Sequence, residues 1–148
     1  MLNELYTAQG ESLDGVPWEI YPRPQLRRNS YINLNGIWEL SVDSQAEPLP
    51  IRVPFCPESL LSGINRHFPE GSVLSYKRSF CLPKHFNKGR VLLHIGAADQ
   101  ISEVFVNQKK IGRHEGGYTS FTLDITDALE EENLLEIRCI DDFNKNRL

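Results

Sequence analysis

The sequence predicts an all-β protein, an antiparallel sandwich or jelly roll. Three observations carry that reading. Apolar residues recur at every second position in about eight short runs, the spacing that puts one face of a strand in a core. Gly, Pro, Asn and Asp punctuate the intervals between those runs. No stretch keeps a helical apolar period over three turns.

Residues 1–33 read as an irregular N-terminal arm, and residues 34–148 as one β domain. In the arm, Gly10, Gly15, Pro17, Pro22 and Pro24 break every periodic pattern. Trp18, Ile20 and Tyr21 give the arm apolar groups to bury, so it is expected to lie over the domain. The basic cluster Arg23, Arg27 and Arg28 is interrupted by prolines and reads as solvated.

In 36–42, Trp38, Leu40 and Val42 alternate with Ile37, Glu39 and Ser41. A short strand at 51–53 ends at Pro54, and 54–72 reads as a long loop. Alternation resumes over 73–82, with Tyr76, Arg78 and Phe80 on one face and Ser75, Lys77, Ser79 and Cys81 on the other. Val91, Leu93 and Ile95 make the next apolar face, followed by Val104 and Val106. Asn107-Gln108 predicts a tight hairpin turn, because Asn tolerates the left-handed region. Phe121, Leu123 and Ile125 form another face. Thr126 and Asp127 are expected to cap a helical turn reaching Leu129. Leu135, Ile137 and Cys139 complete the last strand. Trp38, Leu40, Val91, Leu93, Val104, Val106, Leu135 and Ile137 are the expected shared core of two sheets.

Composition narrows the function. The 148 residues carry 16 basic and 20 acidic side chains, a net charge of −4. That balance gives no electrostatic basis for nucleic-acid binding. No apolar run approaches the roughly 20 residues that cross a bilayer as a helix. Residues 1–30 lack the pattern of a signal peptide, and three widely spaced cysteines are neither a disulfide framework nor a zinc site. A cytoplasmic location and no cofactor or metal are therefore expected. The chain also lacks G-x-S-x-G, H-E-x-x-H, P-loop and G-x-G-x-x-G patterns. Glu130-Glu131-Glu132 reads as a solvated turn, His94 as a strand-surface residue, and His114 as a structural partner of the glycine loop that follows it.

Six short motifs occur in order. They are Leu34-Asn35-Gly36-Ile37-Trp38; Val53-Pro54 with Pro57-Glu58-Ser59; Tyr76-Lys77-Arg78-Ser79-Phe80; Gly96-Ala97-Ala98-Asp99; Val104-Phe105-Val106-Asn107; and Gly116-Gly117-Tyr118-Thr119 with Phe121, Asp124, Ile125 and Thr126. In this order they resemble the N-terminal sugar-binding domain of glycoside hydrolase family 2, the β-galactosidases, β-glucuronidases and β-mannosidases. Asn107-Gln108 departs from the Asn-Gly common in that family, and Ser75 and Lys77 stand where aromatic and arginine residues are common.

The resemblance implies a galactose-binding-like jelly-roll β-sandwich. It also implies a parent enzyme that hydrolyses β-glycosidic bonds with two glutamates on a separate barrel. That barrel would lie beyond Leu148, so no catalytic residue is expected within this chain. The chain stops directly after a core strand, which reads as the boundary of a longer protein. The implied partners are a carbohydrate, the barrel itself and, because large enzymes of this family often assemble through this domain, a second copy. Loops of the family's first domain can reach the barrel's sugar subsite. Within the loop 63–72, Asn65, Arg66 and His67 are accordingly the candidate substrate-binding residues, having donors suited to hydroxyl groups. Tyr118 is the fourth candidate, although its loop is first of all expected to bend tightly with Tyr118 packed over it. The alternative readings are a free-standing carbohydrate-binding module, with Trp18, Tyr21 and Tyr118 as its exposed aromatics, and an oligomer-interface domain.

Overall fold

The computed structural model describes residues 6–17, 30–43 and 45–140. Trp18, Ile20, Tyr21 and the Arg23, Arg27 and Arg28 cluster lie outside the described residues. The chain divides into two compact units, one of residues 1–38 and 49–67, the other of residues 39–48 and 68–148.

The second unit holds the sandwich. Its larger sheet runs in the order β1-β3-β8-β5-β6, with β1 Gly36–Val42, β3 Val73–Phe80, β8 Asn133–Ile140, β5 Ile101–Val106 and β6 Lys109–Glu115. Every neighbouring pair is antiparallel. A second sheet pairs β4 Leu92–Ile95 with β7 Phe121–Asp124. Helix among the described residues amounts to one turn of α-helix, α1 Ala8–Glu11, and two 3-10 turns at Leu60–Ser62 and Thr126–Ala128.

Register explains which side chains meet. Leu40, Tyr76, Ile137, Val104 and Gly112 stand opposite one another in one row across the sheet. Two residues along, on the same face, comes the row Val42, Leu74, Cys139, Ser102 and His114. Because strand side chains alternate, these rows share the core face. From the other sheet, Leu93 stands opposite Leu123 and Ile95 opposite Phe121. Leu40, Val104, Val106 and Leu135 are almost wholly buried, and Val91, Leu93 and Ile95 join them. The expected core is thus observed, except that Ile137 is only half-buried.

The opposite face of the larger sheet is polar and paired. Ser75 Oγ donates to Glu136 Oε1 at 2.6 Å, and Arg138 Nε donates to the same oxygen at 2.8 Å. The Arg138 guanidinium lies 4.5 Å from the centre of the Phe105 ring, within cation–π range. Lys110 pairs with Glu103, and Arg113 with Glu115. Burial works to raise the Glu136 carboxyl, but the hydrogen bonds from Arg138 and Ser75 outweigh it and hold it below the usual carboxylate range.

Two tight features fix the connections. Asn107 (φ 51°) and Gln108 (φ 67°) both occupy the left-handed region, as a two-residue hairpin requires. Asn107 then locks the hairpin to the segment before β8. Its Nδ2 donates to Ala128 O and to Asn133 Oδ1, and its Oδ1 accepts from Leu134 N. Asn133, only 2% exposed, also accepts from Glu130 N and donates to Glu130 O. Its buried amide thereby replaces the hydrogen bonds that water would supply.

Three local expectations need correction. The turn at 126–128 is not capped by Thr126 and Asp127. Asp124 Oδ1 accepts from the backbone N–H and the hydroxyl of Thr126, and Thr126 Oγ1 accepts from Val91 N. Thr126 is therefore used to tie β7's end to the start of β4. The strand expected over 73–82 ends at Phe80, so Cys81 falls just outside β3. The third correction concerns Tyr118 and is described with its loop below.

In the first unit, β2 is Leu49–Val53 and the start of β1 carries Trp38, whose Nε1 donates to Leu34 O at 2.7 Å. Residues 57–66 close on themselves around Ser62, which is 1% exposed. Ser62 Oγ donates toward Ser59 O and Pro57 O and accepts from Ile64 N. Gly63 ends the 3-10 turn at φ 83°, a conformation that glycine adopts without a Cβ clash.

Candidate functional site

Asn65, Arg66 and His67 follow directly on the Ser62 knot. Asn65 has φ 50°, and the Arg66 backbone N–H donates to Pro57 O at 3.0 Å. These backbone constraints hold three exposed polar side chains on a short, tethered arc. His67 Nδ1 lies 3.7 Å from Glu58 Oε1, with the imidazole almost fully exposed. Such a pair orients the ring weakly, since exposed ion pairs contribute little. The arc presents amide, guanidinium and imidazole donors. None of the three residues is Phe, Tyr or Trp.

A depression of about 530 Å³ borders the Ser62 knot in the first unit, lined by Tyr6, Ile37, Arg52, Leu61, Ser62 and Gly63 among others. Asn65, Arg66 and His67 are not among its lining residues. Arg52 Nε is buried without a hydrogen-bond partner among the described residues.

Tyr118 belongs to the second unit and does not pack over its loop: it is 97% exposed. The expectation failed because other residues fill the space beneath the loop. An added Cβ on Gly117 would stand 2.1 Å from Asp99 Oδ1, so the Asp99 carboxylate occupies the place of that missing side chain. Gly116, at φ 119°, donates its N–H to Gln100 O at 2.8 Å. His114 Nε2 meets Thr119 Oγ1 at 3.0 Å, and its ring stacks on Phe121 with centroids 4.2 Å apart and planes 15° from parallel. His114 is therefore structural, as expected, but its partners are a side-chain hydroxyl and a ring. The loop is held from three sides while its tyrosine points into solvent.

Residues 67–147, more than half of the chain, match the family model described as glycosyl hydrolase 2 galactose-binding domain-like. The chain belongs to that family. It is 32% identical over 66 residues to a β-glucuronidase of Bacteroides fragilis, covering 43% of this chain and 10% of that protein. It is 30% identical over 66 residues to a β-galactosidase of Thermoanaerobacter pseudethanolicus, covering 43% of this chain and 9% of that protein. Among solved structures, a β-D-glucuronidase of Dictyoglomus thermophilum superposes with a TM-score of 0.61 at 29% identity, over 74% of this chain and 19% of that one. The chain thus spans about a tenth of the curated relatives and a fifth of the structural one.

Within this galactose-binding-like sandwich, the described carboxylates with named partners are engaged one by one. Asp124 accepts from Arg90 Nε at 2.7 Å as well as from Thr126, and the Thr126 and Arg90 hydrogen bonds hold its carboxyl down at about 2. Glu103 is held below the usual carboxylate range by its hydrogen bond from Lys110. Glu130, Glu131 and Glu132 are exposed, as a solvated turn should be. Burial pushes the Cys139 thiol up to about 12, with the charge of Asp99 adding to it. No group of three or more His, Cys, Asp or Glu side chains is gathered as a metal ion would need, among the described residues. Likewise, no described helix is long and apolar enough to cross a membrane.

Sequence reasoning missed Asp99 as a neighbour of the Gly116–Thr119 loop. The only signal was indirect: two adjacent glycines, one of which has to make room for something.

Proposed function

We propose that this chain is the non-catalytic sugar-binding and architectural domain of a glycoside hydrolase that cleaves β-glycosidic bonds, of the β-galactosidase or β-glucuronidase kind. The observation that carries this reading is the family match over residues 67–147. The chemistry of retaining hydrolysis needs two carboxyl groups about 5–5.5 Å apart across a sugar, and the paired acids described above are spent on bases and hydroxyls of the sheet surface.

In this reading the sandwich buttresses a catalytic barrel, and Asn65, Arg66 and His67 lend hydroxyl-binding donors to a subsite completed by that barrel. The isolated arc is then half a pocket. Small ligands bind well only when most of their surface is enclosed, so monosaccharide affinity is expected no tighter than about millimolar, near −4 kcal/mol. Amide shift mapping by NMR with galactose, glucuronate and mannose tests this. Weak shifts confined to 65–67 support the half-pocket. Micromolar binding by the isolated chain would replace it with a free-standing carbohydrate-binding module, a second reading that the full exposure of Tyr118 favours.

A further inference from the structure

The depression beside the Ser62 knot is lined by a cation that the fold leaves unanswered. Arg52 stands on β2, next to the fully buried Ile51. It is half-buried, and its Nε is sealed from water with no hydrogen-bond partner. Its guanidinium has no ion-pair or hydrogen-bond partner among the described residues. Arginine cannot shed its proton to escape burial, and a charge withdrawn from water is costly unless something pairs with it. The other charged residue of the lining, Glu11, is exposed and makes no pair with Arg52. Apolar groups supply much of the remaining wall, with Leu13, Leu61, Ile37 at 59% exposure and the ring of Tyr6 at 44%. The space, about 530 Å³, is of the size that holds small organic molecules.

An unpaired guanidinium beside apolar walls suits one ligand chemistry. A carboxylate matches the planar donor fork of arginine and takes charge-assisted hydrogen bonds from it. One cation calls for one negative charge; a phosphate dianion would bring a second charge that the apolar walls cannot pair. We propose that the depression binds a small organic carboxylate with an apolar body, the acid group meeting Arg52 and the body resting against Tyr6, Ile37 and Leu61. The inference stands apart from the sugar-binding reading. A uronic acid has the carboxylate, but the hydroxyls around its ring would lose water against walls that offer them few partners. The site therefore selects on two features at once, an ionised acid and a body without hydroxyls.

The test is an NMR amide titration of the 148-residue chain at fixed ionic strength with three probes: 3-phenylpropionate, the neutral 3-phenylpropionamide, and glucuronate. The phenyl acid is expected to shift the amides of 51–52 and 60–63. It should bind about tenfold tighter than its amide, the worth of one hydrogen bond to a charged group, and glucuronate should leave those signals in place. Arg52→Gln is expected to erase the preference for acid over amide. Because Arg52 is half-buried, a second variant guards against a folding defect. Ile37→Glu alters an exposed rim position, where substitutions cost little stability. Its added negative charge should weaken the acid and spare the amide. Equal response to acid and amide in the unmodified chain would overturn the proposal and leave Arg52 to be satisfied by water. So would an acid preference that survives both variants, or shifts confined to residues outside the depression. A stronger response to glucuronate than to the phenyl acid would also sink it and return the depression to the sugar-binding reading. Silence with all three probes would count against it equally, without touching the half-pocket at 65–67.

Discussion

Leu123 Cδ2 lies 2.7 Å from the point where a Cβ on Gly112 would stand. The row Leu40-Tyr76-Ile137-Val104 crosses the larger sheet on its core face and ends at Gly112 on β6, and Leu123 of the facing sheet fills the space above it. Glycine here is a packing choice: it lets the two sheets close on each other at the β6 edge. Gly112→Ala is expected to destabilise the protein by about 1–3 kcal/mol through overpacking. A urea midpoint unchanged from wild type would show that the sheets do not meet there.

The core assignment is tested by Leu93, which is 8% exposed and stands opposite Leu123. Leu93→Ala should cost about 2–5 kcal/mol, combining lost transfer energy with the cavity left behind. Equilibrium denaturation measures it. A loss under about 0.5 kcal/mol, the range of ordinary surface changes, would place Leu93 outside the core.

The buried amide clip predicts a polar loss of comparable kind. Asn133→Leu strips partners from Asn107 Nδ2, Glu130 N and Glu130 O at once. Each group left unsatisfied costs about 1–3 kcal/mol, so this variant should fall further than Glu131→Gln on the exposed turn. Equal stability of the two would contradict the clip.

Asp124 gives the protein an acid limb. Its carboxyl ionises at about 2 in the folded chain against an ordinary 3.8. The unfolded state thus binds its proton first as pH falls, and folding favours the charged form. The stabilisation is present above about pH 3.8 and is lost as pH drops through about 2. Asp124→Asn should therefore be less stable than wild type near neutral pH, and the gap should narrow across that window. Denaturation midpoints that stay the same distance apart from neutral pH down to about pH 2 would refute the linkage.

The strands were legible because burial on one face imposes a two-residue period, as in Trp38-Leu40-Val42 and Val104-Val106. Asn107-Gln108 was legible because few residues accept positive φ. The cap at 126–128 was not, because the cap rule looks to the first residues of the turn, whereas Asp124 reaches forward two residues and Thr126 reaches back to Val91. Cys81 misled because alternation runs two residues past the last rung of β3, where Phe80 stands opposite Asn133. The site was the least legible part. Asp99 and Gly117 lie eighteen positions apart, and nothing local in either segment announces that a carboxylate fills the space of an absent side chain. For the same reason the outward turn of Tyr118 could not be read from Gly116-Gly117.

The most direct test of the central claim is an assay of the purified chain on chromogenic β-galactoside, β-glucuronide and β-mannoside. The account predicts no release of chromophore above the buffer rate for any of the three, since in the proposed reading the acid and nucleophile of glycosyl transfer belong to a separate barrel. Turnover that survives repurification and is lost on mutating a residue within 1–148 would contradict it.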